Sequence, residues 1–353
     1  MLRLLALLCL WCLLVPAAGA QSVRLPAMQT DQVTVSGLSA GGFMAVQFEV
    51  AFSASVRGAG IVAAGPYNCA QGTVYLATTA CSCTSDLLAC HVRTGGTDVS
   101  LLVADTSQLA RSGLIDSPSY LASHKVWMFS GTADTVVPRA VMHDLRNYYR
   151  HYLAPSQISY QSSIPAEHAM PTDSYGKACD YFGSPYINNC GYDAAGQLLK
   201  WLYGPLNARN ESMPGGRWLE FDQSEFLALP MLHGMAENGY LYRPPGCDGN
   251  AAGCRLHVVF HGCLQDPTHI GTVFIEHSGY TAWADNNRIV LLFPQASPIY
   301  PFTNPKACWD WFGYDDVRYA TRLGRQMAAV KRMVDRLTGF TPGVRCRRGR
   351  CTS

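Results

Sequence analysis

Apolar residues in this chain gather into short runs separated by glycine and proline turns, and longer stretches carry apolar positions at helical spacing. Val33-Thr34-Val35 predicts a strand, and Gly42 to Ser53, rich in Phe, Met, Val and Ala, predicts the helix after it. Further apolar runs at Lys125 to Ser130, Ile158 to Tyr160, Leu256 to Phe260 and Ile289 to Phe293 predict four more strands. A helix-like segment, Tyr280 to Asn287, precedes the last of these. A final long helix is predicted over about Asp315 to Leu337, with Leu323, Met327, Val330, Met333, Val334 and Leu337 on its apolar face. Strands alternating with helices imply an α/β fold, a mostly parallel central sheet with helices on both faces. The strongest internal seam lies at 204–250, where Gly204-Pro205, Pro214-Gly215-Gly216, Pro244-Pro245-Gly246 and Asp248-Gly249-Asn250 cluster. There is no internal repeat and no linker leading to an accessory module.

The N-terminus changes the picture first. Met1-Leu2-Arg3 carries one positive charge, Leu4 to Val15 is apolar, and Ala18-Gly19-Ala20 offers small residues for cleavage. This reads as a signal peptide over residues 1–20, leaving 21–353 as a single catalytic domain of roughly 330 residues. Of 14 cysteines, Cys9 and Cys12 fall in the signal, and the even remainder implies disulfides and an oxidising compartment. The expected location is extracellular, or periplasmic in a Gram-negative source. Spacing suggests Cys179–Cys190, Cys247–Cys254 and Cys346–Cys351, while Cys69, Cys81, Cys83 and Cys90 pair among themselves with connectivity open. A metal at Cys81-Ser82-Cys83 is disfavoured because no matching second pair exists. No metal and no cofactor is expected. Charged residues are only 15% and the formal net charge is +2, which argues against a nucleic-acid partner. No second apolar stretch is long enough to cross a bilayer, so a monomer with no membrane partner after cleavage is expected. Asn210-Glu211-Ser212 is a glycosylation sequon, meaningful in a eukaryotic source.

Gly37-Leu38-Ser39-Ala40-Gly41 carries the candidate chemistry. A serine between two such glycines, after a strand and before a helix, is the form of a nucleophile elbow. A serine hydroxyl needs a base to take its proton and a carboxylate to orient that base. Asp134 follows the 125–130 strand, where a triad acid belongs; the alternative is an Asp capping the helix that starts near Pro138. His168 follows the 158–160 strand in a loop, and order and spacing favour it over His91, His124, His143, His151, His233, His269 and His277. Only residues 21–36 precede the elbow, too few for the strand and loop that normally supply the second oxyanion donor. That piece comes late, as Leu256 to Phe260 running into His261-Gly262-Cys263. Cutting the chain near 204–250 and exchanging the halves restores the conventional order, so the fold reads as a circularly permuted α/β-hydrolase.

Together with Pro294-Gln295 and Asn304-Pro305-Lys306-Ala307-Cys308-Trp309-Asp310-Trp311-Phe312, these stretches resemble the secreted, single-domain poly(3-hydroxybutyrate) depolymerases of circularly permuted type. The resemblance implies Ser39, Asp134 and His168 as catalytic triad, backbone N–H groups of Ala40 and Cys263 as oxyanion hole, and a Cys263–Cys308 disulfide. It implies hydrolysis of polyester through an acyl-enzyme, with activity falling as pH drops through roughly 6–7 because the histidine must be neutral. Trp309, Trp311 and Phe312 lie at neither helical nor strand spacing and are the candidate substrate-binding residues against a core role. Tyr67, Tyr300 and Phe302 are weaker candidates for the same surface. The insertion at 69–90 and the basic end around Arg345 to Cys351 match nothing in the resemblance; that end reads as a solvated disulfide loop. Three other readings compete: a feruloyl or acetylxylan esterase, a catalytically inactive binding protein on a hydrolase scaffold, and a serine peptidase of the same fold.

Overall fold

The described residues of the computed structural model are 23–85, 90 and 92–340, with the backbone of 345–347 and 350–352. The predicted signal peptide lies outside them. The parallel strands form where the apolar runs lie: β1 (Asp31–Leu38), β2 (Gly58–Val62), β3 (Lys125–Phe129) and β4 (Ile158–Gln161). A small sheet follows, with β5 (Met170–Thr172), β6 (Lys177–Ala178) and β7 (Ile187–Asn189). The large sheet resumes with β8 (Arg217–Asp222), β9 (Asn238–Arg243), β10 (Arg255–Phe260) and β11 (Ile289–Phe293). Its spatial order is β4-β3-β2-β1-β10-β11-β9-β8. All pairs from β4 to β11 are parallel, and β9 and β8 complete the edge antiparallel.

Counting from β8 makes β10 the third strand, and the loop after the third strand is where α/β-hydrolases place an oxyanion donor. The chain is therefore a circular permutation of that fold, and the two ends of the old connection still touch. Met28 N–H donates to Arg336 O (3.0 Å), and Thr30 N–H donates to Leu337 O (2.9 Å). The seam contains β8 and β9, two strands that its glycines and prolines conceal in the sequence.

One face of the sheet is covered by α1 (Ala40–Ala51) and, further along the chain, by α4 (Arg139–Tyr149) and α9 (Arg325–Thr338). Every residue of α1 is buried, so it packs as a core helix without an exposed face. Glu49 on α1 is fully buried and holds α4 and the β3 approach together. Its carboxylate accepts from Tyr149 Oη (2.5 Å) and pairs with His124 Nδ1 (3.0 Å). The other face meets α5 (Ala194–Tyr203) and α8 (Tyr280–Asn287). There a polar chain crosses the sheet beneath the elbow. Tyr280 Oη donates to Ser36 Oγ (2.8 Å), and Ser36 Oγ to His257 Nε2 (2.8 Å). His257 Nδ1–H donates to Thr34 Oγ1 (2.7 Å), Thr34 to Tyr203 Oη (2.6 Å), and Tyr203 to Leu256 O (2.8 Å). This order needs a neutral His257, and burial pulls its pKa down to about 3.

The last helix is shorter than its predicted span. It starts at Arg325 after Gly324, because the Asp310 carboxylate curls the preceding chain into turns. Asp310 accepts from the N–H groups of Gly313 (2.8 Å), Tyr314 (2.9 Å), Asp315 (3.3 Å) and Asp316 (3.0 Å). Leu323 is consequently exposed, whereas Met327, Val330, Met333, Val334 and Leu337 are buried as expected. Disulfides join Cys179–Cys190, Cys247–Cys254 and Cys263–Cys308 as expected, and the open cluster resolves as Cys69–Cys81 and Cys83–Cys90. Cys346 and Cys351 stand opposite each other in β12 (Arg345–Arg347) and β13 (Arg350–Thr352), but their side chains lie outside the described residues. At the sequon, Asn210 Nδ2 donates to Asp285 Oδ2 (2.6 Å), so that amide nitrogen is engaged inward.

Candidate active site

Ser39 sits between β1 and α1 with φ 56° and ψ −125°, a left-handed conformation that a non-glycine residue adopts only under tertiary constraint. The flanking glycines are required by close approach. A Cβ at Gly37 would stand 2.1 Å from Gly41 O, and one at Gly41 would stand 2.3 Å from Phe260 O. The helix start is thus pressed onto the end of β10, which carries the His-Gly loop. A Cβ at Gly262 would lie 3.4 Å from Ser39 Cβ, placing that loop directly beside the serine.

Asp134 lies in the turn after β3. Its Oδ1 accepts from Val136 N–H (2.9 Å) and Val137 N–H (2.8 Å). It does not cap α4, whose N-cap is Pro138 with no side-chain bond. Its carboxylate faces His168 Nδ1 at 3.0 and 3.1 Å. A nitrogen at that distance from a carboxylate carries the proton, which leaves Nε2 as the acceptor. Both residues are buried, and His168 lines the same cavity as Ser39.

Ala40 and Cys263, the two expected oxyanion donors, also line that cavity. The Cys263 loop is braced from every side. Gly262 N–H donates to Gln265 Oε1 (2.8 Å), and Leu264 N–H donates to Lys306 O (2.7 Å). Gln265 Nε2 reaches Pro185 O (3.1 Å) and Tyr186 O (3.0 Å). His261 accepts Ala296 N–H at Nε2 (3.0 Å), which puts its proton on Nδ1, toward Gly262 O (2.7 Å). The Cys263–Cys308 disulfide fastens the loop to the aromatic string.

The cavity has a volume of about 460 Å³ and a mostly apolar lining. Trp311 and Phe312 belong to its wall, and Trp311 stacks on Phe43 with ring centroids 3.9 Å apart. Trp309 corrects the sequence expectation. It is fully buried (0%), lies behind the wall, and donates its indole N–H to His261 O (3.0 Å). It braces the loop that carries Cys263 and presents no surface to the cavity. Tyr67 is likewise core, donating to Ala320 O (2.5 Å). Tyr300 and Phe302 are exposed next to the wall residues Thr303, Asn304 and Pro305. Sequence reasoning missed the contribution of the disulfide-bonded insertion, where Val74, Ala77, Thr78, Ser82 and Thr84 supply one wall. It also missed Phe182, Tyr186 and Gln265, whose loops reach the site only through the fold.

A permuted α/β sheet that brings Ser39 and His168 to one apolar cavity, with Asp134 behind His168, defines the class: a chain of the α/β-hydrolase fold. No family model matches the chain. It is 46% identical over 327 residues to the poly(3-hydroxybutyrate) depolymerase of Delftia acidovorans, covering 91% of this chain and 63% of that protein's length. It is 37% identical over 346 residues to the polyhydroxybutyrate depolymerase of Talaromyces funiculosus, covering 94% of this chain and 97% of the other. Among solved structures, the PHB depolymerase of Penicillium funiculosum superimposes with a TM-score of 0.80 at 36% identity, over 90% of this chain and 99% of that one. A serine-to-alanine PHB depolymerase complexed with an R3HB trimer matches with the same score, identity and coverage. The chain belongs to the polyhydroxybutyrate depolymerase family.

Proposed function

We propose that this chain is secreted and cleaves the ester bonds of poly(3-hydroxybutyrate)-type polyesters by two-step acyl transfer. Ser39 Oγ attacks the ester carbonyl while His168 Nε2 takes its proton, and Asp134 holds the imidazole in the required tautomer. The oxyanion is held by the Ala40 and Cys263 N–H groups. His168 returns its proton to the departing 3-hydroxyl oxygen, and water then releases the acyl group with His168 as base again. The base acts only as neutral imidazole, so the rate falls on acidification.

The observation that carries this reading is the convergence of Ser39, His168 and the braced Cys263 loop on one apolar cavity. A polyester offers apolar chain with esters at regular intervals, and such a lining suits it. Val74 and Phe182, exposed at the cavity's edge, and Phe302, exposed beside the wall residue Thr303, continue the apolar surface outward. The relatives named as depolymerases support the same substrate class. Five disulfides among the described residues support export, and no helix among those residues is long and apolar enough to cross a membrane.

The test is to follow clearing of a poly(3-hydroxybutyrate) suspension beside release of ferulate and acetate from model esters. The expected result is clearing with slow release from both model esters. Rapid ferulate or acetate release without clearing would replace the polyester with a plant-wall ester.

A further inference from the structure

A second buried carboxylate joins the two loops that carry the acid and the base. Glu167 immediately precedes His168, and 7% of its surface is exposed. Among the described residues it forms no ion pair with a cation. Its hydrogen-bond partners among the described residues are donors at the candidate triad or next to it. Oε1 accepts from Thr135 Oγ1 (2.5 Å), Oε2 accepts from Thr135 N–H (3.3 Å), and Oε2 also accepts from the His168 N–H. Thr135 is the neighbour of Asp134. One carboxylate therefore ties the residue after the acid to the backbone of the base.

The surrounding backbone makes this tie the last element of a clamp. Thr132 N–H donates to Ile164 O (2.8 Å) and Ala133 N–H to Ala166 O (3.2 Å), while Glu167 N–H donates to Cys179 O (2.9 Å). A Cβ at Gly131 would fall 1.9 Å from Ala166 O, so the two loops lie this close only because residue 131 is glycine. Backbone bonds set the approach of the loops up to residues 133 and 166. Beyond those residues, the Asp134–His168 pair itself and the Glu167 carboxylate join the acid's turn to the base's loop. A buried carboxylate without a counter-charge is costly unless its donors are well placed. Its retention beside the base needs a gain, and positional control of Asp134 and His168 supplies one.

We propose that Glu167 is a positioning residue: through Thr135 and the His168 N–H it sets the distance and angle between Asp134 and His168. The proposal rests on the Ser39, His168 and Asp134 reading above. It is tested by kinetics on p-nitrophenyl butanoate for Glu167→Gln, Thr135→Val and Thr135→Ser, and for Glu167→Gln combined with Asp134→Asn. Glu167→Gln should lower kcat roughly 10- to 100-fold with KM within about twofold, since misplacement affects the transition state more than binding. Thr135→Val should fall in the same direction and Thr135→Ser should retain activity, because serine keeps the O–H donor. If Glu167→Gln does not fold, the Thr135 pair carries the test. In the Asp134→Asn background, adding Glu167→Gln should cost less than about twofold, because the pair it positions is already broken. Losses that multiply in that background would overturn the proposal, as would a Glu167→Gln enzyme with wild-type kcat. An Asp134→Asn enzyme that keeps full activity would instead overturn the triad reading on which the proposal stands.

Discussion

At the scale of single residues, the chemistry rests on atoms placed by the absence of side chains. Gly41 leaves room for the Phe260 carbonyl, and this brings the serine's helix against the loop that carries Cys263. Gly41→Ala should destabilise the fold by about 3 kcal/mol, since backbone yields poorly to a Cβ, with activity lost as well. A melting temperature within a degree of wild type would contradict that packing. That the fold would bring Ser39, Asp134 and His168 together was legible in the sequence, because order along the chain and strand-end position are sequence properties. Glu167 was not, because its partner Thr135 is 32 residues away and only the folded loops bring them together. Trp309 misled for the opposite reason. An aromatic in a loop string looks like surface, and only the hydrogen bond to His261 O reveals it as a buried brace.

At the scale of elements, most of the strands that were legible are buried on both faces, with half-buried β4 an exception. β3, β10 and β11 read as apolar runs because helices cover them above and below, whereas β2 was missed because Gly58, Ala59 and Gly60 leave it only Ile61 and Val62 as large apolar residues. β8 was missed because it is a half-exposed edge strand, with only Phe221 of its six residues buried. The final helix was overrun because spacing cannot report that Asp310 turns the chain through four N–H bonds before Arg325. The polar chain through His257 makes its own prediction. The folded state holds His257 near about 3, against an ordinary 6.5 that the unfolded chain keeps. Between those values the unfolded chain binds the extra proton, so stability should fall as pH drops from 6.5 toward 3 and be fully present above 6.5. The gap corresponds to about 5 kcal/mol at about 1.4 kcal/mol per pH unit. Thermal melting across that range checks it: His257→Gln should start lower and lose less on acidification than wild type. Parallel curves for the two proteins would show that another group drives acid unfolding.

At the scale of the whole molecule, one sheet carries a hydrolase whose chain has been cut in a new place. The hydrogen bonds from Met28 and Thr30 to Arg336 and Leu337 mark the old connection. A chain rearranged to begin at Arg217, with 338–340 joined by a short linker to 25–28, should fold to the same sheet and keep its activity. Loss of folding there, confirmed by circular dichroism, would mean that the present termini are structurally required. The Cys263–Cys308 bridge, with a sequence separation of 45, joins the loop after β10 to the aromatic wall. Cys308→Ser should cost up to about 4 kcal/mol of stability by loop-closure entropy. It should also lower kcat, because the Leu264 to Lys306 hydrogen bond is then a main remaining tie between those two loops. These features serve one claim, that the fold delivers Ser39 to an ester carbonyl. The most direct test is hydrolysis of a soluble 3-hydroxybutyrate oligomer by Ser39→Ala, with an unchanged melting curve as the control for folding. The account predicts a rate at least roughly 10⁴-fold below wild type; a rate within tenfold of wild type would contradict it.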